Sequence, residues 1–225
     1  MNERREGVTL ASGVYQVLRE EILNGTLPPG KKLNIREISL RFSTGLSPTR
    51  EALNRLSSEQ LVQLHDNRGF QVSPVSLEEL HDLNKARCWA NEIGLREAIA
   101  HGDAAWEEGL VVALHRLRRA ASPADAGTAR TREWDIAHRA FHRALIAGCG
   151  STWHINSCER LFDASERYRH LARLAGVRRS DHEAEHIAIM DAALARDSAL
   201  AVHLITEHFT KTAQLVEQVV RRDLC

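Results

Sequence analysis

From Ser76 to the end of the chain the sequence shows a single hydrophobic period. Apolar residues recur every three or four positions for about 150 residues, with no strand-like alternation. Turn signals cut this stretch into six helices, expected at 76–100, 103–120, 130–147, 151–175, 181–195 and 197–222. The breaks are His101-Gly102-Asp103, the stretch SPADAGT, Gly148-Cys149-Gly150, Gly176 and Arg196-Asp197. Helices of this number and length pack as a bundle, and ligand sites in bundles lie in the core between facing helices.

One of these helices is unusual. In Trp134 to Leu145, WDIAHRAFHRAL, positions three and four apart put Trp134, His138, Phe141, His142 and Leu145 on one face. That face is apolar except for two imidazoles one turn apart. A buried imidazole needs a partner, and two at i, i+4 can share a divalent metal or hydrogen-bond within the core. Both explanations stand for this stretch alone. His186 shares a face with Ile189, Met190 and Ala193, and His208 with Leu204, Ile205, Thr212 and Leu215. Four inward histidines on three helices are harder to explain as independent core residues. Neutral imidazoles suit zinc first, with nickel, iron or copper also compatible.

The segment before Ser76 is patterned differently. SGVYQVLREEILN (12–24) is an amphipathic helix stopped by Gly25 and the Pro28-Pro29-Gly30 cluster. Asn34 can cap a short second helix running to Phe42, and Ser47-Pro48 reads as the cap and first position of a third, ending near Glu59. In that third helix Ala52, Leu53 and Leu56 face inward, while Ser47, Arg50 and Asn54 share the outward face. Arg and Asn can contact guanine and adenine edges in two-pronged fashion. LVQLH and FQVSP then alternate around Asp66-Asn67-Arg68-Gly69, the pattern of a hairpin with an arginine near its tip. Three helices and a hairpin make a winged helix-turn-helix. The expected architecture is mainly α, with an N-terminal winged helix-turn-helix over 1–74, a linker over 75–78, and a C-terminal all-α six-helix bundle over 79–225.

Composition narrows the function classes. The 225 residues are 43% hydrophobic and 27% charged, ordinary for a globular protein, and the formal net charge is zero. DNA binding must therefore come from local placement of arginines rather than from a basic domain. No apolar run reaches membrane-spanning length and MNERREG lacks a signal-peptide core, so a cytoplasmic protein with no membrane partner is expected. Cys88, Cys149, Cys158 and Cys225 have no C-x-x-C spacing and read as reduced thiols. His182-Glu183-Ala184-Glu185-His186 matches the H-E-x-x-H pattern of zinc hydrolases, with Glu207 downstream. The match is short, opens a helix near solvent and has no strand-built cleft beside it. It is carried only as an alternative, and no enzyme activity is expected.

The stretch PPGKKLNIREISLRFSTGLSPTREALNRLSSEQLVQLHDNRGFQVSPVS resembles the DNA-binding domain of the GntR family of bacterial transcription regulators. By that resemblance Arg36, Ser47 and Arg50, with Asn67, Arg68 and Gly69 of the wing, would meet DNA. The chain departs from the family pattern at Gly45-Leu46, where many members have Ser-Arg, at Ser39 for Ala, and at Gln60 for the glycine that ends the third helix. HRAFHRALIAGCGS, EHIAIMDAALARDSALAV and His208 resemble the FCD effector-binding domain of the FadR subfamily. HRAFHRAL, LFDASERYR and MDAALARD further resemble its carbon-starvation-induced repressor branch. The resemblance implies a metal held by His138, His142, His186 and His208, with His138 standing where aspartate is usual.

The same resemblance implies a small carboxylate effector, a homodimer and an inverted-repeat DNA operator. Arg87 matches the arginine of the family's R-x-x-x-E pattern, with Asn91 in place of the glutamate. Arg167, Tyr168 and Arg169 are further effector-binding candidates. The chain is expected to be a ligand-responsive repressor, the alternative regulator being one for which the metal itself is the signal. Trp89, Trp106 and Trp153 are read as core or dimer packing rather than a ligand cage.

Overall fold

The computed structural model describes residues 9–66, 68–120, 132–174 and 182–224. They form two compact units that divide between Ser76 and Leu77, with Glu166–Leu171 counted in the first. No helix among them is long and apolar enough to cross a membrane.

In the first unit, α1 (Leu10–Leu23) opens on Thr9, whose hydroxyl accepts the Ser12 amide at 3.1 Å. Val14, Leu18 and Ile22 fall on one side of α1 and are buried against Ala52, Leu53 and Leu56 of α3 (Leu46–Ser58). Helix α2 (Ile35–Arg41) is capped as the sequence suggests: the Asn34 side chain accepts the Arg36 amide at 2.9 Å. Strands β2 (Val62–His65) and β3 (Gly69–Val72) pair antiparallel, with Leu64 opposite Phe70. Gly69 sits at φ +81°, a conformation that favours glycine over residues with a Cβ. Asn67, at the hairpin tip, lies outside the described residues.

Two features of this unit differ from expectation. A two-residue strand β1 (Lys32–Leu33) pairs with β3, so the sheet has the order β1-β3-β2. Two residues are too few to show an alternation in sequence. Helix α3 starts at Leu46 with Gly45 as its cap, not at Ser47-Pro48. Pro48 is then the third helical residue. Its missing N–H costs nothing there, because the first four amides of a helix have no intrahelical acceptor. Thr49 supports the turn from within, its buried hydroxyl donating to the Gly45 carbonyl at 3.0 Å.

Beyond α3, Gln60 adopts φ +60° at the position where the family pattern has glycine. A left-handed conformation costs a residue with a Cβ about 1–2 kcal/mol, partly offset by glycine's larger entropy in the unfolded chain. Gln60→Gly is therefore expected to stabilise the protein by about 0.5–1 kcal/mol, read as a raised urea midpoint. A lowered midpoint would show that the Gln60 side chain makes up the backbone cost.

In the second unit the helices are α4 (Leu77–His101), α5 (Ala104–Ala120), α6 (Arg132–Ile146), α7 (Thr152–Leu174, apart from its Glu166–Leu171 segment), α8 (His182–Leu194) and α9 (Ser198–Leu224). Their ends lie within two residues of the expected ones. A short 3₁₀ turn (Ala147–Cys149) follows α6, ended by Gly150 in the left-handed conformation. The breaks expected at SPADAGT and Gly176 lie outside the described residues. Leu95, Leu110, Leu114, Phe141, Leu145, Ile189, Ile205 and Phe209 form one continuous core from five helices.

Arg196 fixes a corner of that bundle. At the end of α8 it adopts φ +60°, donates to the carbonyls of Ile99 and Gly102 at the end of α4, and pairs with Glu107. The terminal carbonyls of α4 thereby gain a partner that the helix cannot supply. Trp106 packs beside it and donates its indole N–H to Ala144 O at 3.0 Å.

Candidate metal centre and nucleic-acid interface

Helix α6 buries the face expected of it: Trp134, His138, Phe141, His142, Leu145 and Ile146 are all buried. His186 of α8 and His208 of α9 join this face, and the ligand atoms of the four histidines lie within 4.8 Å of one another. The Nε2 atoms of His138 and His142 are 3.1 Å apart, so both rings aim at one point. Ring centroids of His186 and His208 are 4.8 Å apart, and those of His138 and His186 are 5.1 Å apart.

Aromatic side chains close the cluster on several sides. Trp134 stacks on His138 at 4.5 Å, and Phe141 meets His186 edge-on at 5.0 Å. Phe162 of α7 covers His138 and His142, and Phe209 covers His142 and His208. Such walls lower the local dielectric and strengthen electrostatic contacts made inside. Neither phenylalanine was singled out in the sequence, where an aromatic on an amphipathic helix carries no sign of what it covers.

The donor set suits a divalent cation. Four imidazole nitrogens are the ligand type of zinc, nickel, iron and copper sites, with no thiolate or carboxylate in the group. Donors at about 2.1 Å from a tetrahedral centre lie about 3.4 Å apart, and an octahedral centre spreads them over about 3.0–4.2 Å. The spacing is compatible with either after small side-chain movements.

Arg87 and Asn91 of α4 are both buried, Arg87 at 5% exposure. The Arg87 guanidinium lies 4.1 Å from the Phe209 ring centroid and 6.0 Å from that of Phe162, the two rings that also cover the histidines. Its Nε has no hydrogen-bond partner among the described residues, nor has Oδ1 of Asn84 one turn earlier. Burial pulls the Arg87 pKa down to about 10. Asn91 donates to the Arg87 carbonyl at 2.9 Å. A buried cation beside the cluster is suited to receive an anion.

Arg167, Tyr168 and Arg169 lie on α7. They belong to the Glu166–Leu171 segment counted in the first unit, where Arg167 donates to Ser73 O at 3.0 Å and the Tyr168 hydroxyl accepts the Ser76 amide. Arg169 pairs with Glu166. All three are buried. Trp106 is core, whereas Trp89 and Trp153 are exposed, Trp153 at 81%. The described cysteines are free thiols, and burial pushes Cys88 up and Cys158 to about 11, which keeps them protonated and unreactive.

In the H-E-x-x-H stretch Glu183 is used otherwise than in a hydrolase: the would-be general base is turned to solvent, 54% exposed, and pairs with Arg118 at 2.7 Å. His186 of this stretch joins the histidine cluster, while the His182 side chain lies outside the described residues.

In the first unit Arg36, Ser47, Arg50, Asn54 and Arg68 are exposed, and Gly69 is half-buried at the hairpin. Ser47, Arg50 and Asn54 lie on one side of α3, three and four residues apart. Other arginines of this unit are used structurally: Arg41 grips Glu21, Arg19 meets Glu59, and Arg55 lies 4.1 Å over the Tyr15 ring. No such partner holds Arg36, Arg50 or Arg68 among the described residues. Leu46, 49% exposed, opens α3 beside Ser47 where the family pattern has arginine.

Comparison with known proteins agrees with this layout. Residues 10–72 match the family of bacterial regulatory proteins, gntR family, and residues 82–211 match the FCD domain. The chain is 33% identical over 210 residues to the HTH-type transcriptional repressor GlaR of Escherichia coli (strain K12), covering 92% of this chain and 95% of that one. It is 36% identical over 216 residues to the HTH-type transcriptional regulator BphR of Paraburkholderia xenovorans (strain LB400), covering 93% and 86%. Among solved structures, E. coli McbR/YncC superposes with a TM-score of 0.76 at 21% identity, covering 94% of this chain and 99% of that one. At that identity the likeness speaks for the fold alone.

Proposed function

The chain belongs to the GntR family of bacterial transcription regulators, in the FadR-like subfamily that carries an FCD domain, and from that premise we propose a ligand-responsive repressor whose helical unit holds a divalent metal and a small carboxylate. The observation that carries the proposal is the convergence of four buried imidazoles from three helices beside a buried arginine. His138, His142, His186 and His208 would hold the ion, zinc being the first choice and nickel, iron or copper the others. When bound, the ion supplies a Lewis-acidic charge for a carboxylate oxygen. Arg87 would donate to a second oxygen of the effector or to a second acidic group, with Asn91 orienting its backbone.

On the DNA side, Ser47, Arg50 and Asn54 of α3 would face the major groove. Arg36 would take phosphate, and Asn67, Arg68 and Gly69 would serve as the wing. The domain limits carried by this proposal are 1–74, a linker over 75–78, and 79–225. The partner is a second copy of the chain, which places two α3 helices about one DNA turn apart on an inverted repeat. Effector binding relieves repression only if it favours one arrangement of the dimer over another.

A thermal-shift series of mono- and dicarboxylates against metal-loaded protein tests this directly. A ligand at about 100 times its Kd adds roughly 2.7 kcal/mol to stability, a shift of several degrees. If no carboxylate moves the melting temperature while metal removal reversibly changes DNA affinity, the protein is a metal sensor instead.

Arg87 supplies a second check. A buried charge without an anionic partner costs desolvation energy, which an unbranched apolar residue of similar reach does not. Arg87→Met is expected to leave unliganded stability unchanged or raised, while the carboxylate response is lost. Destabilisation beyond about 2 kcal/mol in urea would assign Arg87 to the scaffold.

A further inference from the structure

The two carboxylates of His182-Glu183-Ala184-Glu185-His186 go to different places, because residues two apart on a helix face different sides. Glu183 meets Arg118 near solvent. Glu185 turns inward: its Oε2 accepts the Nδ1 proton of His208 at 2.8 Å, and its Oε1 lies 3.6 Å from Lys211 Nζ. We propose that Glu185 is the positioning residue of the histidine centre, orienting His208 and supplying the negative charge that the four imidazoles lack. This rests on the reading of those imidazoles as a metal site.

An imidazole has two nitrogens, and the hydrogen bond made by one sets what the other can do. With its Nδ1 proton held by Glu185, His208 presents the Nε2 lone pair, and the carboxylate makes that nitrogen a better donor. Charge gives a second reason. Neutral imidazoles bring no anion to a divalent ion, and position 138 is an imidazole too. Glu185 places a carboxylate directly behind one ligand without occupying a coordination position. It also links the two helices that each give one ligand, His186 on α8 and His208 on α9. Lys211 Nζ lies near the other oxygen, a second and more exposed contact to the same carboxylate.

The test titrates metal-free wild type, Glu185→Gln and Glu185→Ala with Co²⁺ alone, reading the visible ligand-field absorption and the affinity by chelator competition. Glu185→Ala is expected to weaken Co²⁺ binding 10- to 100-fold and to change the absorption bands. Glu185→Gln should fall between it and wild type, because the amide oxygen still accepts the Nδ1 proton but carries no charge. The urea midpoints of the metal-free variants should match wild type. Wild-type affinity and spectrum in Glu185→Ala overturn the proposal, as does weakening accompanied by an equal loss of metal-free stability. If His142→Ala abolishes Co²⁺ binding while Glu185→Ala does not, only this inference falls. If wild type takes up no Co²⁺, the metal reading falls with it.

Discussion

His142→Ala is expected to lose bound metal and the carboxylate response together, while operator binding survives. His142 lies at the middle of the cluster, with its Nε2 3.1 Å from that of His138 and its ring 5.3–5.5 Å from those of His208 and His186. Three donors remain after the substitution, and the hole sits where the fourth would close the set. Outer partners of metal ligands change affinity by about 10–100-fold, so loss of a ligand itself should exceed about 100-fold. The buried position adds a cavity cost of about 2–4 kcal/mol, which would lower stability whatever the ring's role. His142→Gln keeps more of the volume and separates the two effects. Metal content after dialysis against a chelator is the readout, with the thermal shift by carboxylate as the second. Full metal content in both variants would remove His142 from the ligand set and sink the four-histidine site.

The second large effect is expected at Arg50. Arg50→Ala should abolish operator binding and leave metal content and stability as they were. Arg50 is exposed on α3 with no ion pair among the described residues, so its removal should shift stability by less than about 0.5 kcal/mol. A two-pronged arginine contact to a base is worth about 1–3 kcal/mol. In a two-fold dimer it is lost twice, which weakens binding by about 30-fold to 10⁴-fold. Arg50→Lys keeps the charge and loses the fork, so it should restore phosphate attraction without sequence preference. Fluorescence anisotropy with operator and scrambled duplexes distinguishes these outcomes. Normal operator affinity in Arg50→Ala would remove α3 from the base-reading role.

Much of the fold is legible because helices announce themselves locally. The α6 stripe from Trp134 to Ile146, the Asn34 cap and the hairpin alternation are all readable within a window of a dozen residues. The start of α3 was not, because Ser47-Pro48 satisfies the rules for a helix start while Gly45 satisfies them less visibly. There the buried Thr49 hydroxyl on the Gly45 carbonyl settles the turn. Strand β1 also depended on its partner, since Lys32–Leu33 has meaning only beside β3.

By itself, the sequence determined the architecture of this protein, the face on which each histidine lies, and the exposed side of α3, because these follow from period, capping and residue chemistry along a few turns. Only the tertiary structure decided which faces meet. It brought His186 and His208 to the α6 pair, set Arg87 against the same phenyl rings, sent Glu183 outward and Glu185 to His208, and left Arg167 and Tyr168 with the first unit. Helical period gives the direction of a side chain from its own axis. Whether two such directions converge depends on how the helices pack, and that is set by the volumes of core residues many turns apart.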